Sequence, residues 1–585
     1  MVQIEADAAF RRIDALPRRL WTREAGEAAQ AYYTAALKKP HGQQTLRLVQ
    51  ASAVHDTIAS RGFFGPISVG GGKTLYSFLS FVGLNAKRPL LLLPGALVKR
   101  TMRDAEELRR HWYLPKNLSI ESYDKLSRVE YVDLIKRINP DVIVADEAHR
   151  LKNRDAACTK RVARYLESNQ DTIFCGVSGT LLSKDLRDFA HLSAWALREK
   201  SPIPYEVQTL AAWVNCLDDS TIMAPHPGVL LQWAPEGIAG TLRARARMGI
   251  RDRLIQTSGV VVSLDEGYSG ALDIQGTEIQ IPEKVKGYYR TLRNEWLTPD
   301  GWELLSPVDV WRHARELALG FHYVWDPRPP REWLNARGAW GRHCRAHLGQ
   351  SAEYDTEHQL KLALRSGECD DVLARAALAS WTSIEPTFTP NVVAVWHDTW
   401  SLDYCEKWSK KPGIIWTDHV LFAKELAKRT GLSYYGNNGE DALGNEIEQH
   451  DPRKALIASV DANCTGRNLQ AWHRNLIVTP RSNHKVEQLL GRTHRSGQLA
   501  DGVTVDVLYG CRENILALHR AVSKSQEVAQ LLGAKQKILL ATLDWPTAGE
   551  LSRMHGAQYK EGEGLSKESL LSILDETETE EEEES

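Results

Sequence analysis

At 585 residues the chain is long enough for several domains with cores of their own, and 43% hydrophobic with 25% charged residues is an ordinary globular composition. Eight cysteines without a Cys-x-x-Cys pair or regular spacing argue against a structural zinc site or a disulfide framework; no apolar run reaches the roughly 18 residues of a membrane span, and the charged N-terminus lacks a signal-peptide core. The net charge of -2 hides an asymmetry, because Asp575 to Glu584 holds eight acids and leaves the rest of the chain net basic by six.

Residues 1–45 read as a helical N-terminal segment, with an alanine-rich stretch from Ala25 to Lys38. From 46 to 200, apolar runs of strand type at Pro89–Leu93, Asp141–Ala145 and Thr172–Ser178 alternate with helical stretches such as Leu97–Trp112. That alternation predicts an α/β unit with a parallel sheet and right-handed crossovers. Within it, Val69-Gly70-Gly71-Gly72-Lys73-Thr74 precedes a predicted helix at Leu75–Val82. Consecutive glycines let backbone N–H groups crowd around phosphate oxygens, a lysine at Lys73 reaches the outer phosphates, and a hydroxyl at Thr74 suits Mg2+. Ile67 stands where the strict loop pattern has its first glycine.

The run ending at Ala145 leads directly into Asp146-Glu147-Ala148-His149. Adjacent carboxylates at the carboxyl end of a buried strand suit a metal-holding role for Asp146 and a water-orienting role for Glu147. Val177-Ser178-Gly179-Thr180 closes the third run.

Residues 201–395 are rich in Trp, Arg and His and show no strand–helix alternation, so a helical insertion is expected there; Val308–Trp325 and Gln359–Trp381 read as amphipathic helices. Their tryptophans are core candidates first and stacking platforms for bases second. His343-Cys344 with His347 is the one cluster resembling metal ligands, and it lacks the further partners a metal would need.

A second round of alternation runs from 396 to 545, with strands at Gly413–Thr417, Ala455–Val460, Asn475–Thr479 and Thr504–Tyr509 and a helix at His419–Arg429. It contains Gln488-Leu-Leu-Gly-Arg492-Thr-His-Arg495-Ser-Gly-Gln498, whose two arginines, three residues apart, share a helical face and can neutralise phosphate charge across a cleft. Residues 546–585 form a C-terminal segment whose acidic end reads as a disordered tail.

In order and company, these segments resemble the superfamily 2 helicase-type ATPases, most closely the Swi/Snf (chromatin-remodeller) branch. Residues 144–153 (VADEAHRLKN) are similar to its second motif and 488–498 (QLLGRTHRSGQ) to its sixth. Weaker likenesses fall in the expected order around Leu46–Gln50, Leu90–Arg100, Ser122-Tyr123, Gly413–Thr417 and Cys464–Leu469. Three features depart from the branch: the usual acidic pair before the phosphate loop is absent, Leu181 replaces a proline, and Arg467 replaces a leucine.

The resemblance implies two RecA-like lobes separated by the helical insertion, with ATP and Mg2+ between them. It implies that Gln50 reads adenine, that Gly70, Gly71, Gly72, Lys73 and Thr74 hold phosphate, that Thr74 and Asp146 hold Mg2+, and that Glu147 activates water. It further implies that Gln488, Arg492 and Arg495 reach the nucleotide from the opposite lobe. Ser178 and Thr180 would couple the nucleotide to the bound strand, and Lys99, Ser122 and Thr465 would touch nucleic-acid phosphates. The expected activity is DNA-dependent ATP hydrolysis coupled to translocation, duplex DNA being the first choice and RNA left open. The alternatives are a strand-separating DNA or RNA helicase, and an ATP-gated clamp that carries a protein partner on its helical insertion. The cytosol of a bacterium or of a phage-infected host is the expected setting.

Overall fold

The computed structural model describes residues 3–546 except 68–70, 180–184, 220, 222, 263–269, 350–353, 437–438, 482 and 534–535. Gly70, Thr180, Leu181 and the acidic end of the chain therefore lie outside the described residues. The fold is α/β and is built on two parallel sheets.

The first sheet contains β1 (Phe63–Pro66), β2 (Pro89–Leu93), β3 (Ser119–Ser122), β4 (Val142–Asp146) and β5 (Ile173–Ser178) in the order β1-β5-β4-β2-β3. All its pairs are parallel. The apolar runs are continuous because both faces are covered. Leu90, Leu92, Ile143 and Ala145 enter one core, while Leu91, Leu93, Val142 and Val144 enter the other. The N-terminal segment supplies two helices, Ala8–Asp14 and Arg23–Leu37, capped by the side chains of Asp7 and Thr22. They pack one on each core, through Phe10 and Ile13 in the first case and Ala29 and Leu37 in the second.

The chain then gives β6 (Ala271–Glu278), an antiparallel pair β7 (Phe321–Trp325) and β8 (Val392–Trp396), and β9 (Gly413–Thr417), β10 (Tyr434–Tyr435), β11 (Ala455–Ser459), β12 (Arg474–Ile477), β13 (Gly502–Tyr509) and β14 (Thr542–Asp544). Seven of these make the second sheet, ordered β10-β11-β9-β12-β13-β6-β14, again all parallel.

Residues 201–395 differ from the purely helical insertion expected. β6 lies inside that range yet pairs along its whole length with β13, so part of the second sheet comes from within the expected insertion. The stretch Val308–Trp325 is a helix, Pro307–Ala318, that stops before Gly320 and continues as β7; Gly320 has a φ of 91°, and a Cβ there would meet the Asp398 carbonyl. Gln359–Trp381 is likewise two helices, Glu357–Ser366 and Val372–Ile384, parted at the left-handed Gly367. With helix Arg331–Leu348 they enclose a small core in which Trp333, Trp340 and Trp381 are buried.

Helix Arg512–Leu532 joins the two halves of the chain: Leu518 and Ala521 enter a core of the second sheet, whereas Val528, Leu531 and Leu532 enter a core of the first. Among the described residues, no helix is long and apolar enough to cross a membrane.

Candidate functional site

The register of the first sheet brings three strand ends together. Pro66 of β1 lies beside Ser178 of β5, and Asp146 of β4 beside Val177, so the loops leaving β1, β4 and β5 open on one carboxyl edge. After β1 the chain reaches Gly72, left-handed at φ 79°, and enters helix Lys73–Gly83, placing Lys73 and Thr74 in its first turn. The N-terminal N–H groups of this helix point to the same edge as the carboxylates, which suits a bound anion.

Asp146 ends β4, and Glu147 turns the chain at φ 53°, a left-handed conformation rarely taken by a residue other than glycine and costing about 1–3 kcal/mol. The turn aims Glu147 at Lys73, with Oε1 and Nζ 3.7 Å apart and each side chain only 9% exposed. Its other oxygen, Oε2, accepts the Ser178 hydroxyl at 3.0 Å and lies 3.3 Å from His149 Nδ1, which in turn is 2.9 Å from Ser178 Oγ. Asp146 Oδ1 accepts the Glu147 N–H at 3.0 Å, and the hydroxyl of buried Tyr123 donates to the Asp146 carbonyl at 2.8 Å.

These contacts separate the two acids. Burial and the neighbouring Glu147 charge push Asp146 well above the usual carboxylate range. Burial also works against the charge of Glu147, but Lys73, followed by the His149 hydrogen bond, overrides it and holds that carboxyl below the usual range. Burial keeps His149 low, so it is neutral near pH 7. Two buried carboxylates face one lysine, and Asp146 and Thr74, which line one cavity, offer the hard oxygen donors that a divalent cation takes.

Arg100 and residues from the second sheet's half of the chain complete the wall. Gly72, Lys73, Thr74, Asp146 and Glu147 line a cavity of about 120 Å³ together with Arg100, Gly466, Asn468, Arg492 and Arg495. Arg492 is buried on helix Asn483–Thr493, its Nε donating to the Gln488 carbonyl at 3.0 Å and its Nη1 to the Arg467 carbonyl at 3.1 Å. Burial lowers its affinity for the proton, and Glu147, across the cavity, is the largest influence supporting the charge. Arg495 donates to Asn468 Oδ1 at 2.7 Å; burial, then Arg492 and Arg100, push it down to about 10.

Other expected positions have different occupations. The Gln50 amide donates to the Gly72 carbonyl at 2.9 Å and its oxygen accepts the Arg47 N–H at 2.9 Å, so this side chain braces the turn at Gly72 against helix Leu48–Ser60. Ser122 caps a short helix by accepting the Lys125 N–H, and the Thr465 hydroxyl donates to Gln488 Oε1 at 3.3 Å. Lys99 has a side chain 85% exposed and lies 3.7 Å from Glu440.

Sequence reading passed over Arg100, which lines the cavity and donates to the Gly466 carbonyl at 2.5 Å and to Glu448 at 3.2 Å. His149 and Tyr123 stand within the quoted motifs but carried no assigned role; Arg100 and Tyr123 adjoin Lys99 and Ser122, and His149 is two residues from Glu147. The Arg467 departure has a local explanation, since its guanidinium is buried against Glu448 at 3.1 Å while its carbonyl receives both Arg492 and Arg495.

Compared with protein-family models and with curated proteins, the chain matches none.

Proposed function

We propose that the chain is a nucleic-acid-dependent ATPase of superfamily 2 type, in which two RecA-like lobes, one on each parallel sheet, grip ATP between them and convert hydrolysis into stepping along DNA, duplex DNA foremost. The observation that carries this reading is the shared cavity: Lys73 and Glu147 from one sheet and Arg492 and Arg495 from the other, residues remote in sequence, line one space. A lone phosphate loop or a lone basic helix would not require that meeting.

The chain's own residues divide the work. Helix Lys73–Gly83 and Lys73 bind phosphate, and Asp146 with Thr74 would hold Mg2+, which supplies charge neutralisation on the phosphates. Lys73 is paired with Glu147. Phosphate oxygens compete for that ammonium, and as Lys73 turns to them the main influence holding Glu147 down is withdrawn. Glu147, kept in place by Ser178 and His149, then orients a water and takes its proton as the water oxygen bonds to the γ-phosphorus and the bridging bond to ADP breaks. Arg492 and Arg495 offset the charge that develops on the phosphoryl oxygens.

A cavity of about 120 Å³ is well below the roughly 300 Å³ or more of a typical ligand pocket. Admission of ATP therefore requires the two sheets to part, and closure on it reassembles the site.

The test is ATP turnover titrated with duplex DNA, single-stranded DNA and RNA at several lengths and salt concentrations. Length-dependent, salt-sensitive stimulation by DNA is expected, with Glu147→Gln and Lys73→Ala losing turnover by about 10³-fold or more. Normal turnover in those variants would remove the assignment.

A further inference from the structure

Far from the shared cavity, helix Arg331–Leu348 sets His343 and His347 one turn apart on a single face, and the start of helix Val372–Ile384 lies against that face. Sequence reading left the two histidines without partners; the fold supplies one in Asp371. Its carboxylate is held still, because Oδ1 accepts the Ala374 N–H at 2.9 Å as the helix cap. The other oxygen, Oδ2, is the atom both imidazoles face, at 2.8 Å from His347 Nε2 and 3.7 Å from His343 Nδ1. His347 is hydrogen-bonded to that oxygen, and His343, beyond hydrogen-bond reach, faces the same atom.

We propose that His343, His347 and Asp371 form a binding site for a divalent transition cation of the zinc class. One atom from each residue lies within 4.8 Å of the others, and among the described residues no other such group of His, Cys, Asp and Glu occurs. Ligands about 2.0–2.2 Å from zinc stand roughly 3.4 Å apart, so a slight lengthening on the His347 side and a slight shortening on the His343 side meet the requirement. Two imidazoles with one carboxylate select a borderline cation over Mg2+ or Ca2+. The side chains are 27%, 24% and 31% exposed, which leaves the outer coordination positions to water. Cys344, next to His343 in sequence, is not one of the residues whose donor atoms converge here.

Such an ion would tie the helix Arg331–Leu348 to the cap of Val372–Ile384 across the small Trp333–Trp340–Trp381 core. It would also steady the turn whose end docks on the first sheet's unit, where Lys160 donates to the Leu348 carbonyl at 2.5 Å. Zinc therefore stiffens the link between this helical cluster and helix Ala157–Ser168.

The experiment is Zn2+ binding to the full chain in competition with a chromophoric chelator, in excess Mg2+ so that hard-donor sites are masked, alongside Co2+ absorption in the visible range. Wild type is expected to take one equivalent, with His343→Gln and His347→Gln at least tenfold weaker and the Co2+ bands lost. Asp371→Asn, which keeps the helix cap, is expected to bind more weakly while retaining its far-UV circular dichroism. Lys73→Ala should bind as wild type does. Equal zinc affinity in wild type and both histidine variants, or no binding by wild type, would overturn the site.

Discussion

At the scale of single residues, Gly72 carries two constraints at once. Its φ of 79° is costly for any side chain, and an added Cβ would fall 2.2 Å from Gln50 Nε2, the group that secures the Gly72 carbonyl. Gly72→Ala is therefore expected to displace the loop and weaken nucleotide binding by about 1–3 kcal/mol, roughly ten- to a hundredfold in Kd, while changing the melting temperature little; fluorescent-nucleotide titration checks it. The neighbouring acids illustrate how much of such a site a sequence reveals. Lys73, Asp146, Glu147, Arg492 and Arg495 were legible because glycine spacing, paired acids at a strand end and spaced arginines each have a chemical motive, and the fold gathers all five. Gln50, Ser122 and Thr465 were legible only as names. Their polar groups have near neighbours in the fold, and which neighbour wins is a matter of local geometry that spacing does not encode.

Among elements, the strands that could be read ahead were the apolar ones, such as β2, β4, β5 and β9, whose burial on both faces leaves a continuous run. β6 alternates polar and apolar residues (Ala-Leu-Asp-Ile-Gln-Gly-Thr-Glu), and β14 is exposed throughout, so neither carries that signature. β1 spans only four residues, two of them Gly65 and Pro66. The ties between elements were less visible still. Arg293 on helix Glu283–Asn294 forms a two-bonded pair with Glu513, at 3.0 and 2.7 Å, fixing that helix to the start of Arg512–Leu532. Although burial opposes the charge of Glu513, Arg293 and Arg512 hold it down at about 2, below its ordinary 4.5. A depressed acid contributes stability that is fully present above its unfolded value and is lost as the pH falls through the folded one, here between about 4.5 and about 2. Glu513→Gln should cost about 3 kcal/mol or more at pH 7, since it strands a buried guanidinium, and the difference from wild type in chemical denaturation should shrink across that window. A constant difference from pH 7 down to pH 2 would deny the pair this role.

For the whole molecule, the question is what holds the two sheets together. One tie is apolar: helix Arg512–Leu532, about 30 Å long at 21 residues, has one end in each set of cores. Another is ionic, from helix Val98–Leu108 to the segment 440–448, through Lys99–Glu440 at 3.7 Å, Arg100–Glu448 at 3.2 Å and Arg103–Glu446 at 2.9 Å. Pairs this exposed are individually weak and screened by salt, which suits a latch that must open. Glu446→Gln with Glu448→Gln is expected to raise the radius of gyration in small-angle scattering without nucleotide, and a non-hydrolysable ATP analogue to bring it back down. An unchanged profile would mean that the ion pairs do not hold the cleft.

The claim on which the rest depends is that arginines of one sheet act on a nucleotide held by the other. Arg495→Ala, measured for nucleotide binding and for DNA-stimulated turnover in the same preparation, tests it most directly. ATP affinity within a few fold of wild type and turnover reduced by about 10³-fold are expected. Turnover equal to wild type, with the variant folded and binding ATP, would contradict it.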